Sequence, residues 1–181
     1  ASLNATASNA IVLENMLPGT PESEWLIDEH DASIEGFAAQ FSVDNGERVD
    51  FKINTNSTHY RIDIYRIGYY GGDGARRVAS FERNLTTPQV QPVPLFDPTR
   101  RLVDAGNWSV SASWDVPEDA VSGVYFARLE RLDGQGGENM IPFIVRDDEN
   151  PSDITFQTSD TTWQAYNWWG GYNLYGGIDE G

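Results

Sequence analysis

The densest group of hard oxygen donors in the chain is Asp147-Asp148-Glu149-Asn150, followed by Pro151 and Asp153. Carboxylates crowded at a junction suit Ca²⁺, a hard cation that prefers oxygen ligands. Asp147, Asp148, Glu149 and Asp153 are therefore the candidate calcium ligands; the competing description is a solvated run of charge. Elsewhere the residues that do chemistry are scattered. His30 and His59 have no metal-ligand spacing to one another, and there is no Cys. That composition excludes disulfides, thiolate catalysis and Cys-ligated zinc or iron–sulfur clusters. No Ser lies in a nucleophile elbow. Gly71-Gly72-Asp73-Gly74 matches neither a phosphate loop nor a dinucleotide fingerprint. Glu22 with Glu24, or Asp28, Glu29 and Asp31, would act as a carboxylate pair only if the fold brought them together. No catalytic residue is assigned, and this chain alone is not expected to be an enzyme.

A second concentration is aromatic. Trp163-Gln164-Ala165-Tyr166-Asn167-Trp168-Trp169 reads as a sugar-stacking platform or as the edge of a core completed by another surface. The second reading makes Ile154, Phe156, Trp163, Tyr166, Trp168 and Trp169 the candidate interface. Its partner is expected to be a downstream domain or other copies of this chain. Asn-x-Ser/Thr sequons at Asn4, Asn56, Asn84 and Asn107 arise readily by chance and carry no assignment.

The elements that must position these residues are strands. Val49, Phe51 and Ile53 alternate with Asp50, Lys52 and Asn54, and Tyr60, Ile62 and Ile64 alternate with Arg61 and Asp63. Period two is the mark of a half-buried strand. Phe37, Ala39, Phe41 and Val43 form another such face, as do Trp108, Val110, Ala112 and Trp114. Near Tyr65 the phase slips by one residue, which predicts a bulge or a crossing between sheets. Asp133-Gly134-Gln135-Gly136-Gly137 predicts a hairpin tip, and the proline-bearing stretch 86–98 predicts an extended connection between sheets. Short strands with turn-rich links predict an all-β fold, an antiparallel two-layer sandwich of the immunoglobulin-like kind. Ser122-Gly123-Val124-Tyr125 sharpens this. A Tyr there is placed to bond back to the upstream backbone, as in the corner before a late strand of such domains. The expected core includes Phe41, Phe51, Ile62, Val110, Trp114, Tyr125 and Phe143. The polar run at 146–151 marks a boundary, so residues 1–150 form the sandwich and 151–181 an aromatic tail.

Composition sets further bounds. The net charge is −16, from 28 acidic and 12 basic residues, and such a surface repels nucleic acid. No apolar run has the length of a membrane helix, so membrane insertion is not expected. The sandwich is expected outside the cell or on its surface; the absence of Cys does not itself fix the compartment.

Several long motifs carry a family resemblance. They are Ile11-Val12-Leu13-Glu14-Asn15, the stretch from Gly19 to Trp25, the stretch from Tyr60 to Arg76, Ile141-Pro142-Phe143-Ile144-Val145-Arg146-Asp147-Asp148, and the stretch from Thr158 to Asn167. Together they resemble proteins similar to the large (β) subunit of N,N-dimethylformamidase. The resemblance implies a β-sandwich region preceding a C-terminal amidotransferase-like domain. It also implies amide hydrolysis in that later domain, with iron held there by tyrosine and glutamate. Tyr166 and Tyr175 lie in the stretch resembling the start of that domain, where a ligand role in a full-length relative is conceivable; iron is expected only in such a relative.

Three functions follow. The first is a non-catalytic, secreted or cell-surface sandwich with a structural, assembly or adhesion role. The second is an accessory domain of an iron-dependent amide hydrolase. The third is a carbohydrate-binding module. No cofactor is required by the first, apart from the candidate calcium.

Overall fold

The structure is a computed structural model and describes residues 9–27, 30–150, 152 and 154–177. In chain order it contains helices α1 (Ala10–Asn15) and α2 (Glu22–Trp25) and strands β1 (Ile34–Ala38), β2 (Ser42–Asp44), β3 (Arg48–Thr55), β4 (His59–Ile67) and β5 (Ala75–Asn84). Strands β6 (Leu95–Asp97), β7 (Leu102–Asp104), β8 (Ala112–Asp115), β9 (Gly123–Arg131) and β10 (Glu138–Arg146) follow. Helix α3 (Asp160–Tyr166) and the two-residue strands β11 (Tyr172–Asn173) and β12 (Gly176–Gly177) come last. These elements fall into two compact units. One comprises the described residues up to Gln91 together with Ser109–Glu149; the other joins Pro92–Trp108 to the described residues from Asn150 onward.

In the larger unit one sheet has the order β1-β3-β8 and the other β2-β10-β9-β4-β5. Val49, Phe51 and Ile53 point inward from β3 and share one core with Ile62, Ile64, Tyr125, Leu129, Ile141 and Phe143 of the facing sheet. Phe51 meets Phe143 edge-on with ring centroids 5.7 Å apart. Two β layers around one core make this the expected immunoglobulin-like sandwich. Its pairings are antiparallel except at one edge, where β2 lies parallel to β10.

Two local features of the sequence have the form expected of them. The Tyr125 hydroxyl donates to the Val121 carbonyl at 2.6 Å. Its ring packs against Trp114 and Phe143, and burial pushes the phenol well above its ordinary pKa. In β4 the pairing with β5 shifts register between Ile64 and Tyr65. Beyond that shift Tyr65 turns to a second, smaller core with Ala75 and Phe126, closed by Trp25 and Met140.

Two expected core residues are exposed, Phe41 at 38% and Val110 at 47%. The alternation drawn through 37–43 assumed a single strand. Instead the chain leaves one sheet after Ala38 and joins the other at Ser42. That break resets the inward phase, so Ala38 and Val43 pack on the core while Phe37 lies under the Lys52 ammonium. At Val110 the strand has not begun. The buried Ser111 hydroxyl accepts from Ile53 N at 2.9 Å and donates to Ile53 O at 3.0 Å, and β8 starts one residue later.

In the smaller unit the proline-bearing stretch holds more than a connection. Its β6–β7 pair runs antiparallel from Leu95↔Asp104 to Asp97↔Leu102. Phe96 stacks on Tyr172 at 5.5 Å, and Trp108 meets Trp169 edge-on at 5.7 Å. Gly170, at φ +83°, lies against Val103, where a Cβ would come within 2.8 Å of the Val103 Cβ. The aromatic tail thus packs on a hairpin more than 60 residues upstream in the chain (Phe96 to Tyr172).

Candidate functional site

The stretch with the densest motif, Tyr60 to Arg76, folds into β4, a glycine-rich tip and β5. The tip is tight. Tyr70 takes φ +42°, rare for a residue with a side chain, and Gly71, Gly72 and Gly74 also have positive φ. What holds Tyr70 there is a polar network. Its hydroxyl donates to Glu14 Oε1 at 2.8 Å and accepts from Arg66 Nη1 at 3.0 Å. The same Glu14 oxygen accepts from Arg76 Nε at 2.9 Å and Arg76 Nη2 at 2.6 Å. Glu14 is the buried residue of α1, so the network pins that helix across the tip. The Asn15 side chain adds to the hold by accepting from Tyr69 N at 2.5 Å.

Arg66 extends the network to the tyrosine corner. It is buried and donates to Val121 O at 3.2 Å through Nε and to Ser122 O at 2.9 Å through Nη2. Two guanidiniums and one carboxylate share this region, and each has hydrogen-bond partners, which is what permits their burial. Burial lowers the proton affinity of Arg76, but its bonds to Glu14 outweigh this and hold its pKa above the ordinary value. Burial raises the Tyr70 phenol. Arg66 pairs with Tyr125 and Gly123 pairs with Val145, so the tip, the start of β9 and the end of β10 share one pole of the sandwich.

Above the network lies an open cleft of about 820 Å³ between α1, the 16–19 turn and the tip. Val12, Met16, Leu17, Pro18 and Tyr69 form its apolar walls, and Asp73 is the one ionised side chain on its lining. Gly19 approaches Asp73 so closely that a Cβ there would fall 2.4 Å from the Asp73 Cβ.

Of the residues singled out for metal, Asp147, Asp148 and Glu149 are described. Asp148 is held by Arg146, whose Nη2 donates at 2.9 Å, and this bond depresses the Asp148 pKa. The Asp148 amide donates to Asp44 Oδ1 at 3.0 Å. Asp147 is half-buried, Glu149 is exposed, and Asp153 lies outside the described residues, as do Asp28 and Glu29. Among the described residues no group of three or more His, Cys, Asp or Glu side chains is arranged to hold a metal ion. His30 bonds Asn139 and His59 bonds Glu82, each at 2.8 Å. Tyr166 and Tyr175, which lie in the stretch resembling the start of the later domain, pack on each other with centroids 4.9 Å apart. Two phenols by themselves do not make up the tyrosine-and-glutamate set that the resemblance implies for iron.

Of the residues expected at an interface, Ile154 and Phe156 lie outside any strand and are more than 80% exposed. Trp163 and Tyr166 sit on α3, with Trp168 and Trp169 just beyond, and all four are partly open to solvent. The residues that sequence reasoning passed over are Glu14, Arg66, Tyr70 and Arg76. One signal was present: Glu14 is the lone acid in the otherwise apolar run 10–14.

The sheets, the shared core and the tyrosine corner define an immunoglobulin-like β-sandwich protein. A likeness is found to domain 1 of VCBP3 from Branchiostoma floridae, with 6% identity, 65% of this chain and 97% of that chain covered, and a TM-score of 0.38. Another is to CopC from Methylosinus trichosporium OB3b, with 16% identity, 65% and 100% covered, and a TM-score of 0.32. No curated protein matches the sequence. The chain belongs to the family described as N,N-dimethylformamidase beta subunit-like, C-terminal, whose model matches residues 61–181. The match begins within β4 and runs through the sandwich, the polar linker and the aromatic segment.

Proposed function

We propose that this chain is a non-catalytic accessory module of an amide hydrolase of the N,N-dimethylformamidase kind. The observation that carries the reading is the span of the family match, which takes in sandwich and aromatic segment as one stretch. The site chemistry supports it. Glu14, Arg66, Tyr70, Arg76 and Tyr125 are engaged with one another or with backbone carbonyls, an arrangement that fixes a fold rather than turning over a substrate. In this reading the sandwich is the scaffold, and the open aromatic residues of the smaller unit meet the rest of the assembly. The test is direct. The purified chain is incubated with N,N-dimethylformamide, with and without ferrous iron, and dimethylamine release is measured. No release above the buffer rate is expected; turnover by this chain would overturn the proposal.

A structural or assembly role through self-association is the second reading. It is favoured by the exposed Ile154, Phe156, Tyr166, Leu174 and Tyr175 of the smaller unit.

A further inference from the structure

The cleft at the tip has a composition that selects a ligand. Its walls are the apolar side chains of Val12, Met16, Leu17 and Pro18 and the ring of Tyr69, which is 70% exposed. Asn15, its polar neighbour, is already engaged: its Nδ2 donates to Ile11 O at 2.8 Å while its oxygen accepts from Tyr69 N. The Tyr70 hydroxyl is turned down into the Glu14 network. That leaves the Asp73 carboxylate. Its main chain is fixed, with the amide donating to Tyr70 O at 3.3 Å and the carbonyl accepting from Trp25 Nε1 at 3.2 Å. The carboxylate itself has no hydrogen bond or ion pair among the described residues. Beside it Gly71 and Gly72 leave open space where side chains would otherwise stand.

A free carboxylate, an exposed aromatic ring and apolar walls are together what an alkylated ammonium ion requires. The charge meets the carboxylate and the ring face, and the methyl groups meet the walls. A simple ammonium ion would gain nothing from the walls, a neutral amide nothing from the carboxylate, and an anion would be repelled. We infer that the cleft between α1 and the 69–73 tip binds a small alkylammonium ion, with Asp73 as its counter-ion and Tyr69 as its aromatic wall. The amine half of a hydrolysed dialkyl amide, protonated at neutral pH, is such an ion, and the choice of probe alone rests on the accessory reading above.

The Trp25 indole N–H, bonded to Thr20 O and Asp73 O, reports on the cleft. The 181-residue chain, labelled with nitrogen-15, is titrated at constant ionic strength with dimethylammonium chloride, ammonium chloride and N,N-dimethylformamide in separate series. The Trp25 indole resonance and the amides of 69–74 should shift saturably with dimethylammonium, more weakly with ammonium and not with the neutral amide. Asp73→Asn, which disturbs no bond of the fold, should weaken dimethylammonium binding roughly threefold to fivefold, the scale of an exposed charge contact. Tyr69→Leu should weaken it about threefold. No saturable shift, an equal response to the neutral amide, or undiminished binding by Asp73→Asn would each overturn the inference. The hydrolysis assay tests the accessory reading separately, because this titration reads binding and no turnover.

Discussion

Removing the Glu14 carboxylate tests whether the tip network holds the pole of the sandwich together. In Glu14→Ala three hydrogen bonds are lost at once, two from Arg76 and one from Tyr70. Breaking a fully buried ion pair by deleting one partner costs about 3–5 kcal/mol, because the other charge stays buried and unpaired. Here the Glu14 side chain is 9% exposed but Arg76 is 28% exposed, so water can reach the abandoned guanidinium. The lower end of that range or slightly less applies, about 2–3 kcal/mol. Glu14→Gln keeps one acceptor oxygen and the side-chain shape but loses the charge, and should cost about 1–2 kcal/mol.

The assay is urea unfolding followed by tryptophan fluorescence and by far-ultraviolet circular dichroism, with coincident transitions as the check on two-state behaviour. Two outcomes would refute the reasoning. A Glu14→Ala loss under about 0.5 kcal/mol would place the pair among solvent-exposed ones. A Glu14→Gln variant as stable as the parent, with the loss confined to Glu14→Ala, would show that only side-chain packing matters, not the charge. The double variant Glu14→Gln with Arg76→Met completes a cycle. Its cost should be less than the sum of the two single costs, since either substitution alone breaks the same bonds.

Other perturbations address the rest of the molecule. Phe51→Ala or Phe143→Ala should destabilise by about 3–5 kcal/mol in the same assay, since both rings are fully buried; a loss under about 1 kcal/mol would contradict the two-layer core. Tyr125→Phe keeps the ring but removes its bond to Val121 and should cost about 1–1.5 kcal/mol. Asp133 is held down to about 2 by the Arg131 guanidinium. A carboxyl depressed in the folded state stabilises above its unfolded pKa of about 3.9 and loses that contribution as pH falls toward 2. The urea-midpoint difference between the parent chain and Asp133→Asn should therefore be present at pH 6 and shrink on acidification through that window; a difference independent of pH would refute the ion pair. Light scattering over increasing concentration should show self-association that is weakened by Phe156→Ser with Trp168→Ser, whereas a concentration-independent monomer would remove the assembly reading.

What the sequence made legible follows the range of the interactions. The β3 alternation, the slip at Tyr65 and the Ser122–Tyr125 corner are each decided within a few residues, and each takes the expected form. Phe41 and Val110 went astray where alternation was carried across a strand boundary. Period two says which residues share a face but not where the strand stops. Ser111 shows the cost of that gap. A hydroxyl that should have pointed outward is instead buried on the Ile53 backbone.

The tip network was illegible for a different reason. Glu14 meets Tyr70 across 56 residues and Arg76 across 62, and nothing local to α1 marks that acid as a buried anchor rather than a surface charge. The glycines after Tyr70 do mark a tight turn, but a glycine-rich turn invites a search for a phosphate. The charge around this one argues otherwise. The cations of the network, Arg66 and Arg76, bond to carbonyls and to Glu14, while the ionised side chain on the cleft lining is the Asp73 carboxylate. A loop that carries an unpaired acid and no basic residue, with its flanking Arg66 and Arg76 bonded within the fold, suits a cation rather than a phosphate. In this pole the positive φ at Tyr70 matters because it turns the Tyr70 hydroxyl inward to Glu14 while leaving its neighbour Tyr69 exposed on the cleft.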